Sequence, residues 1–399
     1  MSEGKTLVPK LRFPEFWDSP EWKSGKIDEL VDTVTPPKKL PTLSYSSKGA
    51  FPIIDQSQNE ICGWTDDHEA LIRENRPLIV FGDHTCILKL VDRPFAQGAD
   101  GIKILKSRPK ADTKYLYQYL SYKPVVTEEY KRHYAILKEK VVFFPDFKTG
   151  EQQKIADCLS SVDELIAAQA RKLDALKTHK KGLMQQLFPR EGETQPRLRF
   201  PEFQNAGEWE PKSIGQLGEV VTGSTPSTAR PEYYGGDRLF VSPADISDDR
   251  FIGKTKTNLT ELGFRETRLI KVNSILFVCI GSTIGKIAQN SHECATNQQI
   301  NSVVPNLDNS DGFVYYALSG ITDKIANIAG RQAVPIVNKS LFSSVELPVP
   351  KLPEQNRIAN CLSSLDQTIL AQTQKLQALK THKKGLMQQL FPSAEMLEA

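Results

Sequence analysis

No apolar run in this chain approaches the roughly 18–20 residues a membrane-spanning helix requires, so no membrane partner is expected. The N-terminal stretch MSEGKTLVPK holds no apolar core of the kind a secretion signal carries, which predicts a cytoplasmic protein. Cysteine is scarce: Cys62, Cys86, Cys158, Cys279, Cys294 and Cys361 are the six present, and no two form a CxxC pair. That excludes a disulfide-built scaffold and predicts free, buried thiols. His84 with Cys86 and His292 with Cys294 each offer two ligands, but neither has a second close pair to complete a tetrahedral site, and no metal is expected. A large charge excess is missing too. The net charge of +3 permits nucleic-acid binding without demanding it.

What the chain does have is bulk and repetition. At 399 residues, 39% hydrophobic and 25% charged, it is a soluble globular sequence too long for one core, and two domains are expected. Residues 151–189 return almost letter for letter as 354–392, and the segment 175–189, ALKTHKKGLMQQLFP, is identical to 378–392. A second phrase, LRFPEF at residues 11–16, recurs at 198–203, with Glu21-Trp22 answered by Glu208-Trp209. The opening phrase recurs after 187 positions and the closing segment after 203, so the sixteen-residue difference lies entirely in what stands between them. A duplicated frame thus carries two divergent inserts. The segments are 1–150, 151–189, 190–353, 354–392 and a tail at 393–399.

The repeated segments carry heptads. Ile155, Leu159, Val162, Ile166, Leu173, Leu176, Leu183 and Leu187 fall at alternating steps of four and three, with Gln169 and Lys180 at the two remaining seam positions. Ile358, Leu362, Leu365, Ile369, Leu376, Leu379, Leu386 and Leu390 repeat the pattern, with Gln372 and Lys383 at the same gaps. Two matched helices in one chain should pair, and internal two-fold symmetry favours the antiparallel arrangement. Polar seam residues cost stability but fix register. Each helix should span roughly 50 Å at ~1.5 Å per residue, enough to place two readers on successive turns of B-DNA, ~34–36 Å apart. Lys177, His179, Lys180 and Lys181, with Lys380, His382, Lys383 and Lys384, make both helices basic near their C-terminal ends, as a solvated face also would be. Gly182 and Gly385 each cost ~1 kcal/mol inside a helix and suggest close approach of another backbone. Lys181, Gly182, Gln186, Lys384, Gly385 and Gln389 are therefore the candidate partner-docking residues.

Both inserts read as mixed α/β domains. Residues 50–54, 77–81, 140–144, 238–242 and 274–279 are strand-like, and 114–122 and 312–318 are helical. Polar residues gather where loops are expected. In the first insert these are Lys38, Lys39, Gln56, Gln58, Asn59, Asp83, His84, Thr85, Lys103, Arg132 and His133. In the second they are Ser224, Thr225, Arg230, Tyr233, Tyr234, Ser282, Thr283, Lys286, Asn297, Gln298, Gln299, Arg331 and Gln332. Amides pair bidentately with adenine and Arg or Lys with guanine, while hydroxyls bind phosphates. The same residue types are also ordinary turn formers. GSTIGK at 281–286 lacks the GxxxxGK[ST] spacing of a phosphate loop, so nucleotide binding there is rejected.

These phrases resemble the specificity subunit of type I restriction-modification systems along essentially the whole chain. The resemblance rests on LRFPEF, on GSTPST followed by PEYYGG, on GSTIGK and TNQQIN, and on helices that open EQxxIA and close KGLMQQLFP. FPIIDQ, IVFGDHT and FAQGADG look like the same family's elements in the first insert. The resemblance implies a mixed α/β (α+β) fold: two target-recognition domains separated by an antiparallel two-helix coiled coil, with an internal pseudo-two-fold repeat. Each domain would read one half of a bipartite, asymmetric site in double-stranded DNA, and the helices would set the spacer. Two methyltransferase subunits would dock on the frame and two restriction-translocase subunits would join them. S-adenosylmethionine, ATP and magnesium would belong to those partners, with no cofactor in this chain. Consistently, the sequence has no NPP[FY] or DPPY tetrapeptide and no GxGxxG loop, and Pro145-Asp146 is followed by Glu151-Gln152-Gln153 without the lysine a nuclease motif needs. A non-catalytic chain is expected. Two alternatives remain open: a tandem recognition scaffold for a non-DNA partner, and an enzyme with an unfamiliar site around Asp83, His84 and Lys103.

Overall fold

The computed structural model describes residues 7–99, 101–126, 133–329 and 335–392. The chain divides into two compact units, one built from residues up to 171 together with those from 373 onward, the other from residues 172–372. The boundary cuts through both repeated helices, so each unit owns one half of each. The fold is mixed α/β.

In the first unit a four-stranded antiparallel sheet runs Val31–Val34, Ile102–Ser107, Leu78–Gly82, Leu88–Val91. Leu78–Gly82 is buried at all five positions, which is why its sequence is a continuous apolar run and not an alternation. A second sheet runs Gly63–Thr65, Phe51–Ile54, Phe95–Gln97, Leu71–Ile72, with a parallel central pair and antiparallel outer pairs. The helix Thr113–Tyr122 starts where Asp112 accepts a bond from Tyr115 N at 2.8 Å. A ribbon of Lys23–Lys26 against Val141–Phe144 brings the two ends of the insert side by side.

The second unit repeats this plan. Its five-stranded sheet runs Gly218–Thr222, Ile300–Pro305, Ile275–Val278, Ile287–Asn290, Phe251–Ile252, and its three-stranded sheet Thr257–Leu259, Tyr234–Val241, Cys294–Thr296. The helix Asp311–Gly320 and the ribbon Glu210–Ser213 against Glu346–Val349 complete it. Trp22 and Trp209, the tryptophans of the repeated phrase, sit in the cores of their respective units.

The first long helix, Glu151–Leu187, follows Gly150, which adopts the left-handed conformation at φ 81°, and stops just before Pro189. The second, Leu352–Leu390, begins with Pro353 in its first turn, where a missing N–H costs nothing. Within the first unit, Asp163 meets Lys383, while Ile155 and Leu159 share a core with Leu390, so these halves run antiparallel. Within the second, Lys180 meets Asp366 at 2.5 Å, and Leu187 shares a core with Ile358 and Leu362, so the same holds there. Every seam position expected from the heptads is buried or half-buried, Gln169, Gln372, Lys180 and Lys383 included. The seam lysines each find the partner helix's aspartate at the same repeat position.

The repeated phrase works as a buckle. Arg12 donates through Nε and Nη2 to both carboxylate oxygens of Glu151, at 2.8 and 2.7 Å, and through Nη1 and Nη2 to Ser19 O and Pro20 O. Arg199 does the same with Glu354, at 2.8 Å twice, and with Ala206 O and Gly207 O. Gln152 and Gln355 accept from the backbone N–H groups of Asp112 and Ser310, which ties the start of each long helix to the start of the insert's helix. The EQ opening of each copy is therefore structural. The cysteines are free as expected, but only Cys279 and Cys294 are fully buried; Cys62, Cys86, Cys158 and Cys361 are half-buried, since their positions border loops or the flank of a helix and not a core layer.

Candidate nucleic-acid interfaces

In each unit, hydrogen bonds join several of the loops that carry the candidate polar residues. In the first unit the strand Leu78–Gly82 ends in a tight hairpin closed by Cys86 N to Gly82 O at 2.8 Å, with Cys86 itself left-handed at φ 55°. His84 and Thr85 stand exposed at its tip. Thr85 Oγ1 donates to Gln56 O at 2.9 Å, which joins the hairpin to the loop 55–59. That loop wraps around Lys89, whose buried Nζ donates to Asp55 O at 2.8 Å and Asn59 O at 2.5 Å. Burial lowers the Lys89 pKa, and the Asp55 carboxylate offsets this only in part. Gln58 and Asn59 are left exposed, and Gln56 is half-buried. Gly101, at φ 94°, passes so close to the Gln56 amide that a Cβ there would lie 2.6 Å from Nε2.

Asp83 and His133 face inward, at 6% and 2% exposure. Asp83 accepts from Tyr134 N at 2.8 Å, and His133 donates its backbone N–H to Asp83 O at 2.9 Å. They hold loops together and present no edge to solvent. Lys103 is half-buried over the Tyr134 ring at 5.4 Å. Lys38 is exposed and paired with Asp67 at 2.7 Å, and Lys39 bridges to Gln97. Arg132 lies outside the described residues.

In the second unit Gly223 fits against the Thr296 and Asn297 carbonyls with no room for a side chain, and Ser224 N donates to Thr296 O at 2.9 Å. Thr225 Oγ1 donates to Gln298 Oε1 at 2.6 Å, both side chains being exposed. Asn297 donates to Gln299 Oε1 at 3.0 Å, and Gln299 reaches Ile280 O at the start of the turn 281–286. Gly281 and Gly285 bracket that turn, both at φ 94°. The turn presents Ser282, keeps Thr283 half-buried and directs Lys286 Nζ to Ile246 O at 3.1 Å. Arg230 is exposed and donates to the hydroxyl of Tyr233 at 2.9 Å. Tyr233 is packed beneath Gly263, and Tyr234 is tied to Pro226 O at 2.8 Å. Arg331 and Gln332 lie outside the described residues.

The exposed donors and acceptors left by these loops are amides, hydroxyls and cations, the set that reads base edges and grips phosphates. No group of three or more His, Cys, Asp or Glu side chains is arranged to hold a metal ion among the described residues. Lys181, Gln186, Lys384 and Gln389 are exposed on the long helices. At Gly182 and Gly385 a Cβ would meet nothing within 4 Å among the described residues, so neither glycine serves a close approach there. Four supporting groups escaped sequence reading: Lys89, Arg250, Asp163 and Asp366. The two aspartates occupy the same repeat position, as do their lysine partners, so the duplication held that signal; Lys89 and Arg250 stand in no phrase that marks them.

Residues 206–381 match the family model described as a type I restriction modification DNA specificity domain. Among curated proteins, the HindI specificity subunit of Haemophilus influenzae is 35% identical over 36% of this chain and 32% of its own length. The MjaIX specificity subunit of Methanocaldococcus jannaschii is 31% identical over 41% of this chain and 39% of its own. This chain thus spans under two-fifths of those two relatives. The Escherichia coli EcoR124I/EcoR124II specificity subunit is 26% identical over 81% of both chains. The crystal structure of the S subunit of a type I system from M. genitalium superposes with a TM-score of 0.68, covering 97% of this chain and 100% of that one at 18% identity, which speaks to the fold.

Proposed function

We propose that this chain is the DNA-reading subunit of a type I restriction-modification complex, each unit reading one half of a split site, a reading supported by the match of residues 206–381 to the type I restriction modification DNA specificity domain and by the similarity to curated specificity subunits. The observation that carries this reading is the duplication of a whole assembly. Both units hold a polar loop cluster on a mixed α/β body, and both fasten that body to the long helices through the same glutamate, glutamine and aspartate positions. The fastenings repeat; the exposed loop residues do not. Gln58, Asn59, His84 and Thr85 in one unit and Thr225, Gln298 and Ser282 in the other give two different chemical faces on one frame. Two different half-sites follow from that.

The helix pair sets the spacer, and the half-buried glycine positions Gly182 and Gly385 with the exposed lysines and glutamines beside them receive two methyltransferase subunits. Restriction-translocase subunits join that assembly. Methyl transfer, with S-adenosylmethionine, and ATP- and magnesium-dependent restriction belong to those subunits, and this chain contributes recognition alone. Its place of work is the cytoplasm, where the DNA is.

The test is methylome sequencing of a host carrying this chain with its cognate methyltransferase, against the methyltransferase alone. A split motif with a fixed spacer, present only with this chain, is the expected result. A correctly assembled complex that adds no methylation would transfer the assignment to a scaffold for a non-DNA partner.

A further inference from the structure

Arg250 stands one residue before the edge strand Phe251–Ile252 of the second unit's five-stranded sheet and touches every layer between that sheet and the long helices. Its Nε donates to Gln289 Oε1 at 2.9 Å, on the neighbouring strand. Its Nη1 donates to the Tyr316 hydroxyl at 3.0 Å, on the helix Asp311–Gly320, and to Ser363 Oγ at 2.7 Å, on the second long helix. The guanidinium lies over the rings of Phe251, Tyr315 and Tyr316 at 4.7–4.9 Å. Tyr316 in turn donates to Asp366 at 2.6 Å, and Asp366 receives Lys180 of the first long helix. One line of bonds therefore runs from the sheet that carries the loops to both helices of the rod. A planar cation with donors in a fixed fork, stacked among rings, resists both sliding and rotation.

The first unit is built differently at this joint. Gln118 occupies the place of Tyr316, the sixth residue of the insert's helix, and donates to Asp163 at 2.8 Å; Lys383 completes the group at 2.7 Å. Among the described residues, no guanidinium bridges sheet, helix and rod there.

We propose that Arg250 is the positioning residue that fixes the second unit's loops on the helix pair, and thereby sets how strictly spacer length is enforced. The inference rests on the DNA-reading function proposed above. Arg250 reads no base: its Nε and Nη1 donors are held by protein acceptors and its faces by rings.

The experiment uses the complete complex with its methyltransferase and measures methylation of DNAs that share both half-sites and differ by one base pair in spacer. Arg250→Met keeps the bulk between the rings and removes the bonds; Ser363→Ala removes only the rod-side acceptor. Both should raise methylation at the wrong spacer, relative to the right one, by about tenfold, the effect of one lost charge-assisted hydrogen bond, with half-site preference unchanged. Arg250→Lys should fall between them and the parent. Unchanged spacer discrimination in Ser363→Ala, or in an assembled Arg250→Met complex, overturns the proposal; so does an altered base preference in the second half-site. If the parent complex shows no split motif, the DNA-reading function itself fails, a distinct result.

Discussion

Among the described residues the exposed Gln298 amide oxygen accepts from the Thr225 hydroxyl, an arrangement that orients the side chain and turns its amide N–H groups to the task of meeting a base. Gln298→Ala should change base preference within one half-site and leave the other intact, as methylome sequencing would show; uniform loss across both would contradict independent reading. Cys279 and Cys294 are of the opposite kind. Burial pushes both thiols up to about 12, so the folded chain keeps protons that the unfolded chain releases near its ordinary value of 9.0. The unfolded state therefore binds fewer protons above that pH, and folding stability should fall as pH rises past it. Alkylation of the native protein near pH 8, followed by mass spectrometry, should leave these two unmodified while the half-buried Cys86, Cys158 and Cys361 react first. Rapid labelling of Cys294 would mean that its strand opens readily.

At the scale of elements, the seam lysines tie one long helix to the other. Lys180 with Asp366, and Lys383 with Asp163, are partly buried pairs in matching positions. Lys180→Asp alone sets two carboxylates against each other and should lower the unfolding midpoint clearly; Lys180→Asp with Asp366→Lys should recover most of the loss, a coupling of about 1 kcal/mol or more in a double-mutant cycle. No recovery would mean that each residue acts through other contacts, Tyr316 foremost. Gly182 and Gly385 present the reverse case, since a side chain fits and a helix favours it. Gly182→Ala should stabilise the chain by about 0.5–1 kcal/mol. If partners dock there, the same change should weaken capture of methyltransferase subunits in a pull-down, and full retention would place the docking surface elsewhere.

On the scale of the whole molecule, the proposed half-site reading, on a chain of net charge +3, must draw its grip from local cations and not from a general positive field. Affinity of the assembled complex for its split site should still fall steeply with salt, because phosphates are neutralised wherever loops meet DNA. Binding indifferent to salt between 50 and 200 mM, the range over which such contacts are ordinarily lost, would favour the non-DNA scaffold.

The sequence by itself determined the frame: the duplication, the two long helices, their seam and the antiparallel pairing. Heptad spacing is local and survives any tertiary context, and an internal two-fold repeat makes the two halves equivalent when the helices oppose. It also located the loop groups, because turn residues and glycines with positive φ mark chain reversals wherever they fall. Only the tertiary structure decided which residues in those groups face outward. Asp83, His133 and Tyr233 carry the same chemistry as their exposed neighbours, and burial turned them into supports because their polar atoms found backbone or side-chain partners first. Arg250 lay outside every motif, since its five partners come from four separate stretches of chain and no local pattern joins them. Compact units that share both long helices were likewise invisible in a linear reading, because antiparallel pairing brings the start of one helix to the end of the other.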